Sequence, residues 1–97
     1  MWILWSVGNP DGALTFRLAP GAIKTVGRAP RADFIVDAPL VSRLHCRLTA
    51  TADALGVEDL SSTNGTYVND KRVNRAQIVK GDRLRVGRVE LTVDRQV

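Results

Sequence analysis

The sequence predicts an all-β domain, a β-sandwich of about eleven short strands. Three observations lead to this prediction. β-Forming residues occur in short alternating runs, turn residues interrupt the chain about every eight to ten positions, and no segment has the pattern of a long amphipathic helix. The segment 50–54 alone resembles a helix, and it is too short. Because 97 residues with 44% hydrophobic side chains can build one core, we expect a single domain over residues 1–97.

The N-terminal half contains five predicted strands. They lie at 2–7, 13–18, 23–26, 34–36 and 44–51. Turn residues at 8–12 and at Pro20-Gly21 separate the first three, and Pro39 cannot donate to a neighbouring strand, so pairing of the fourth should stop before it. Side chains of the fifth strand alternate between two faces. One face carries Leu44, Cys46 and Leu48, and the other carries His45, Arg47 and Thr49.

Six further strands are predicted in the C-terminal half. They lie at 55–60, 66–68, 71–73, 76–79, 84–86 and 90–94. Asn64-Gly65 predicts a hairpin between 58–60 and 66–68, because both residues tolerate a positive φ. Asn69-Asp70 and Gly87-Arg88 predict two more tight turns.

Charge is unevenly distributed along the chain. The formal net charge is +4, and residues 71–95 contain eight basic and only three acidic side chains. A basic C-terminal third is compatible with nucleic-acid binding, but no aromatic residues are interleaved for base stacking. We therefore favour solvated edge strands, where Lys and Arg discourage pairing with other chains.

Several functional classes are not expected. The single cysteine, Cys46, excludes an internal disulfide and a cysteine-rich metal site, and its position in an alternating run predicts a buried side chain. Ser42 and His45 resemble a nucleophile and its base, yet no third group or oxyanion hole is evident, so we expect neither an enzyme nor a cofactor. The N-terminal apolar run is too short for a signal peptide or membrane span. We expect a cytoplasmic protein.

Three polar motifs are candidates for a binding site. The first is Gly27-Arg28, the second is Ser42-Arg43-Leu44-His45, and the third is the tip 61–64, with four hydroxyl or amide side chains. The guanidinium of Arg28 is a planar fork of donors that matches phosphate oxygens. The tip offers further donors without fixed charge, which suits an anion or a peptide backbone.

In this order and spacing, the three motifs resemble the forkhead-associated (FHA) domain, a phosphothreonine-binding module. Gly27-Arg28, residues 42–45 and the run 62–69 carry the resemblance. It implies a β-sandwich with its binding loops at one end. It also implies that Arg28, Ser42 and Thr63 hold the phosphate, with Arg43 as a second cation that ranks below Ser42.

The resemblance assigns roles to the remaining site residues as well. Asn64 is expected to bond the main chain of the ligand, and His45 to support the Ser42 loop through backbone hydrogen bonds. Gly27 and Gly65 are architectural. Leu40, two residues before Ser42, is the specificity candidate that reads the third ligand position after phosphothreonine.

The leading functional hypothesis is a non-catalytic module that binds phosphothreonine peptides or proteins in Ser/Thr kinase signalling. We expect a monomeric domain of a longer protein, without a small-molecule substrate or membrane. One alternative is a phosphate-independent interaction domain that uses a flat sheet face. The other, less favoured, is a nucleic-acid binder that uses the basic C-terminal third.

Overall fold

The computed structural model describes residues 1–6 and 13–96, and all eleven predicted strands form. The strands are β1 (Trp2–Ser6), β2 (Leu14–Leu18), β3 (Ile23–Gly27), β4 (Phe34–Ile35), β5 (Cys46–Ala50), β6 (Leu55–Asp59), β7 (Thr66–Val68), β8 (Lys71–Val73), β9 (Arg75–Ile78), β10 (Arg83–Val86) and β11 (Val89–Arg95). The described residues contain no helix, which confirms the all-β prediction. The predicted end of the first strand at Val7 and the turn at 8–12 lie outside the described residues.

The strands form two sheets. One has six strands in the order β2-β1-β11-β10-β7-β8, and the other has five in the order β4-β3-β5-β6-β9. Strands β3 and β4 pair in parallel, and the other described pairs are antiparallel. The parallel pair ends at Ile35, and the chain turns soon afterwards, where the Ala38 N–H donates to the carbonyl O of Val36 at 3.0 Å.

Alternate side chains of both sheets fill the core. Leu4, Leu84 and Leu91 from the larger sheet and Leu48 and Leu55 from the smaller one have no exposed surface. Burial of each such leucine contributes about 1.5–3 kcal/mol. Cys46 is also fully buried, as predicted, and burial together with the charge of Asp59 raises the pKa of its thiol to about 12. The core thus provides a rigid base for the loops at each end.

Two predicted hairpins form and one does not. Asn69 and Asp70 have φ of 50° and 68° and join β7 to β8, and Gly87, with φ of 58°, begins the turn from β10 to β11. The predicted hairpin at Asn64-Gly65 is wrong, because β6 and β7 belong to different sheets. Only Gly65 of that pair has a positive φ, of 89°. Residues 60–65 therefore cross from one sheet to the other.

The basic C-terminal third contributes both edge strands on its side of the sandwich. Lys71 and Arg72 lie on β8, the edge of the larger sheet, and Arg75 lies on β9, the edge of the smaller one. All three side chains are exposed. Their position fits charged residues that protect sheet edges.

Candidate functional site

Three loops meet at one end of the sandwich. They follow β3, precede β5 and precede β7. The backbone N–H of Arg28 donates to the carbonyl O of Ser42 at 3.0 Å, and the N–H of Thr63 donates to Ser42 Oγ at 3.1 Å. The side chain of Asn64 donates to the carbonyl O of Leu40 at 3.1 Å. The structure therefore brings the three sequence motifs together.

Gly27 permits the close approach of the first two loops. A Cβ atom at this position would lie 2.0 Å from the carbonyl O of Arg43 and 3.0 Å from the Cα of Leu44. No real side chain tolerates such contacts with backbone atoms. The sequence predicts an architectural glycine here, and the reason is the packing of one backbone on another.

Arg28 follows Gly27 directly, and a hydrogen bond from its side chain holds the guanidinium in place. Its Nε donates to the carbonyl O of Val41 at 3.0 Å, which fixes the guanidinium plane against the loop before β5. Within the described part of the chain, its terminal Nη atoms have no hydrogen-bond partner. They remain available to bind an anion with two parallel hydrogen bonds.

Ser42 presents a hydroxyl with one free hydrogen. Its oxygen already accepts a hydrogen bond from the Thr63 backbone, so the hydroxyl proton can be donated to a ligand oxygen. The Thr63 side chain is exposed beside it. Arg28, Ser42 and Thr63 thus lie together at the surface.

His45 lies beneath these loops and is fully buried. Its Nδ1 accepts a hydrogen bond of 3.0 Å from the Ser42 backbone, so the remaining proton is assigned to Nε2, which donates to the carbonyl O of Gly65 at 2.8 Å. Strand alternation predicts that His45 lies on the same side as Arg47 and Thr49, yet those two residues are exposed whereas His45 is buried. Alternation identifies the side of a sheet, but the loops cover this side at the end of the strand.

An acidic residue that sequence reasoning missed organises the third loop. Asp59 Oδ1 accepts from Ser62 Oγ at 2.6 Å and from Thr66 Oγ1 at 2.7 Å, and its Oδ2 accepts from the Ser62 backbone at 3.1 Å. Burial alone raises the pKa of Asp59, but these hydrogen bonds outweigh burial and hold the pKa below its ordinary value of 3.8. The spacing Asp-x-x-Ser, typical of a side chain that caps its own turn, was the available signal.

Ser62 is consequently not part of the exposed tip. The residue is only 9% exposed, and its Oγ also accepts a hydrogen bond from the backbone N–H of Gly65 at 2.9 Å. The expectation that four polar side chains of the tip 61–64 face a ligand is therefore wrong for this one. Ser62 acts inside the loop and supports Gly65.

Two hollows flank Arg28, Ser42 and Thr63. The Leu40 groove, of about 560 Å³, is lined by these three residues together with Asp37, Ala38, Pro39, Leu40, Val41 and Asn64. The arginine hollow, of about 550 Å³, is lined by the same three together with Arg31, Arg43, Leu44 and Ser61. The shared residues form a ridge between the two hollows.

The other predicted residues flank this ridge. Asn64 and Leu40 line one hollow, and Arg43 lines the other. Leu40 is 45% exposed and has a positive φ of 71°, a conformation that is uncommon for leucine and that no local pattern predicts. Its carbonyl O is held by Asn64, and its backbone packs close to Gly87. Gly27, His45 and Gly65 are buried below.

Among the described residues, no group of three or more His, Cys, Asp or Glu side chains is arranged to hold a metal ion. The described part of the chain also has no helix of the length and hydrophobicity needed to cross a membrane.

Comparison with known proteins supports the same family as the site geometry. The family model for the FHA domain matches residues 24–87, which include all three motifs. The chain is 39% identical over 80 residues to the ABC transporter ATP-binding/permease protein Rv1747 of Mycobacterium tuberculosis, covering 82% of this chain and 9% of that protein. It is 37% identical over 83 residues to the glycogen accumulation regulator GarA of the same species, covering 86% of this chain and 51% of that protein.

A solved structure extends the match to the whole fold. An FHA domain whose interactions depend on phosphothreonine superposes with a TM-score of 0.86 and 30% sequence identity, over 100% of this chain and 99% of that one. The chain spans at most about half the length of the two mycobacterial relatives. The family match, the identity to these relatives and the shared architecture agree, and the chain belongs to the FHA domain family.

Proposed function

We propose that this domain binds phosphothreonine in peptides or proteins that a Ser/Thr kinase has modified. The observation that carries the proposal is the ridge where the Arg28 guanidinium, the Ser42 hydroxyl and the Thr63 side chain meet between two hollows. A phosphoryl group carries about −1.5 to −2 charges and three acceptor oxygens. One cationic fork and two hydroxyl groups match these oxygens.

Asn64 binds the ligand main chain in this proposal. One N–H of the Asn64 side-chain amide donates to the carbonyl O of Leu40. The second N–H and the Oδ1 atom of Asn64 remain for the ligand. One donor and one acceptor are what a peptide unit requires. The bond to Leu40 also holds the amide in place before the ligand arrives.

Residues that follow phosphothreonine lie along the Leu40 groove. Its wall includes the exposed Leu40 with Pro39 and Val41, together with the carboxylate of Asp37. An aliphatic side chain at the third position after phosphothreonine fits this wall. An acidic side chain at this position would be repelled by the carboxylate of Asp37.

The module is proposed to be non-catalytic, since the imidazole of His45 is buried and bonded to two backbone groups. Neither ring nitrogen is left to activate Ser42. We propose that it is a monomeric module of a longer cytoplasmic protein. The kinase and its phosphorylated partner would then be in the cytoplasm as well. Similarity to segments of longer proteins supports the modular context.

An oriented phosphothreonine peptide library tests the ligand class and the Leu40 groove together. We expect selection of phosphorylated over unmodified peptides and enrichment of aliphatic residues at the third following position. Calorimetry with one selected peptide and its unphosphorylated form gives the affinity difference. Equal affinity for the two forms would refute the proposed function, and strong aspartate selection at the third position would refute the role of Leu40.

A further inference from the structure

The arginine hollow has more positive charge than one phosphate requires. Arg28, Arg31 and Arg43 line it, and its lining includes no acidic residue. The Leu40 groove on the other side of the ridge has one arginine and one carboxylate, Asp37. The two sides of the phosphate site therefore differ strongly in charge.

The carboxylates of Asp33 and Asp59 do not form ion pairs with the arginines of this hollow. Asp33 accepts hydrogen bonds from the backbone N–H of Thr25 at 2.9 Å and from its hydroxyl at 3.1 Å, and Asp59 is used by its own loop. In the ranges 1–6 and 13–96, no carboxylate oxygen lies within 4.0 Å of a nitrogen of Arg31 or Arg43. Two exposed arginines thus line the hollow without an acidic partner from these ranges.

We propose that the preferred ligand carries a second anionic group, a carboxylate or another phosphate, which binds between Arg31 and Arg43. This inference rests on the proposed function, in which Arg28, Ser42 and Thr63 hold the phosphothreonine. Because residues after phosphothreonine are assigned to the Leu40 groove, the second anion precedes it in the ligand. Each guanidinium binds either anion through two parallel hydrogen bonds.

The side chains are exposed, so the effect on affinity is moderate. A carboxylate paired with exposed arginines is expected to increase affinity about two- to fivefold. A second phosphate, with about twice the charge and an additional oxygen, is expected to increase it about tenfold. Both gains should shrink as salt is added, because the charges are exposed and the distance over which they attract falls from about 10 Å at 0.1 M salt to about 3 Å at 1 M.

The test uses four peptides that differ only near one phosphothreonine, measured by calorimetry. The reference has neutral flanks, the second has glutamates before phosphothreonine, the third has a second phosphothreonine before it, and the fourth has glutamates after it. Arg31→Gln removes one guanidinium from the hollow. Arg17→Gln is the matched control, because Arg17 is exposed on β2 and lines neither hollow.

We expect the second and third peptides to bind more tightly than the reference, and the fourth not to. Arg31→Gln should remove these gains and leave the affinity for the reference peptide nearly unchanged, whereas Arg17→Gln should change nothing. Equal affinity of the first two peptides, a gain that persists in Arg31→Gln, or an equal gain from glutamates after phosphothreonine would each overturn the inference while the proposed function stands. Failure of all four peptides to bind would overturn both.

Discussion

His45 Nε2 lies 2.8 Å from the carbonyl O of Gly65, and this hydrogen bond joins the loop before β5 to the loop before β7. The same ring accepts from the Ser42 backbone through Nδ1. One buried imidazole thus fixes both the serine that is proposed to bind phosphate and the glycine next to Asn64. Hydrogen bonds from this buried ring therefore support both loops that carry proposed ligand-binding residues.

Replacement of His45 by alanine should therefore reduce both stability and binding. The Ser42 N–H and the Gly65 carbonyl would lose their partners, at about 1–3 kcal/mol for each group that stays buried. Urea denaturation measures the stability, and calorimetry with a phosphothreonine peptide measures the affinity. An unchanged denaturation midpoint would show that these two hydrogen bonds do not support the fold.

Arg28→Ala should reduce affinity for a phosphothreonine peptide by about 2–5 kcal/mol, because it removes the charged fork from a partly desolvated anion. The melting temperature should change little, since only the bond to Val41 is lost. Arg28→Lys keeps the positive charge but lacks the planar fork of donors. Its affinity should therefore lie between those of the unsubstituted protein and Arg28→Ala. Arg17→Ala on β2 is the control. Near-normal affinity of Arg28→Ala would mean that another residue anchors the phosphate.

Three glycine-to-alanine substitutions should rank in a definite order. Gly27→Ala places a Cβ 2.0 Å from a backbone oxygen and should destabilise most, by roughly 3 kcal/mol or more. Gly65→Ala, at a φ of 89°, should cost about 1–2 kcal/mol, because its nearest neighbour is the flexible side chain of Arg72. Gly56→Ala, with no contact below 3.4 Å, is the matched control. Thermal unfolding measures the melting temperature of each variant. An unchanged melting temperature of Gly27→Ala would contradict the close approach of the loops.

Asp59 should make stability depend on pH in the acid range. The pKa of Asp59 is lower in the folded protein than its ordinary value of 3.8. The ionised carboxylate therefore contributes its full stabilisation of the fold at pH values above 3.8. The contribution is lost as the pH falls below 3.8 and through the folded pKa. Urea midpoints between pH 7 and pH 2.5 measure this dependence.

Asp59→Asn provides the comparison, because Asp33 and Glu58 also have lowered pKa values. The variant should be less stable at pH 7 by about 1.5–3 kcal/mol, since an amide replaces the carboxylate that accepts bonds from Ser62 and Thr66. The difference between the two proteins should narrow at low pH. A constant difference would show that the Asp59 charge does not contribute.

The domain should distinguish phosphothreonine from phosphoserine and from glutamate. Glutamate has one charge and two oxygens, so donors at the Arg28, Ser42 and Thr63 ridge would stay unpaired. Loss of the threonine methyl group costs about 0.8 kcal/mol if it lies in open contact, and about 1–3 kcal/mol if the Thr63-Asn64 loop encloses it. Three peptides with one flanking sequence test this by calorimetry. Equal affinity for phosphoserine would exclude an enclosing methyl pocket.

Much of the fold was predictable from the chain because its signals are local. Alternation identified every strand to within two residues over the described ranges, and the turns at Asn69-Asp70 and Gly87-Arg88 form as expected. These patterns depend on φ preferences and on the two-residue period of a strand, which neighbouring residues determine. The motifs around Arg28, Ser42 and Thr63 could also be identified from the sequence, although their binding roles stay predictions.

Tertiary structure decided the features that depend on which strands pair. Asn64-Gly65 has the sequence of a hairpin, yet its flanking strands lie in different sheets, so the same residues form a crossing loop. The burial of His45 beneath the carbonyl O of Gly65 follows from that crossing. A local turn signal specifies that the chain bends, whereas the partners on either side of the bend depend on long-range pairing and on packing of the two sheets.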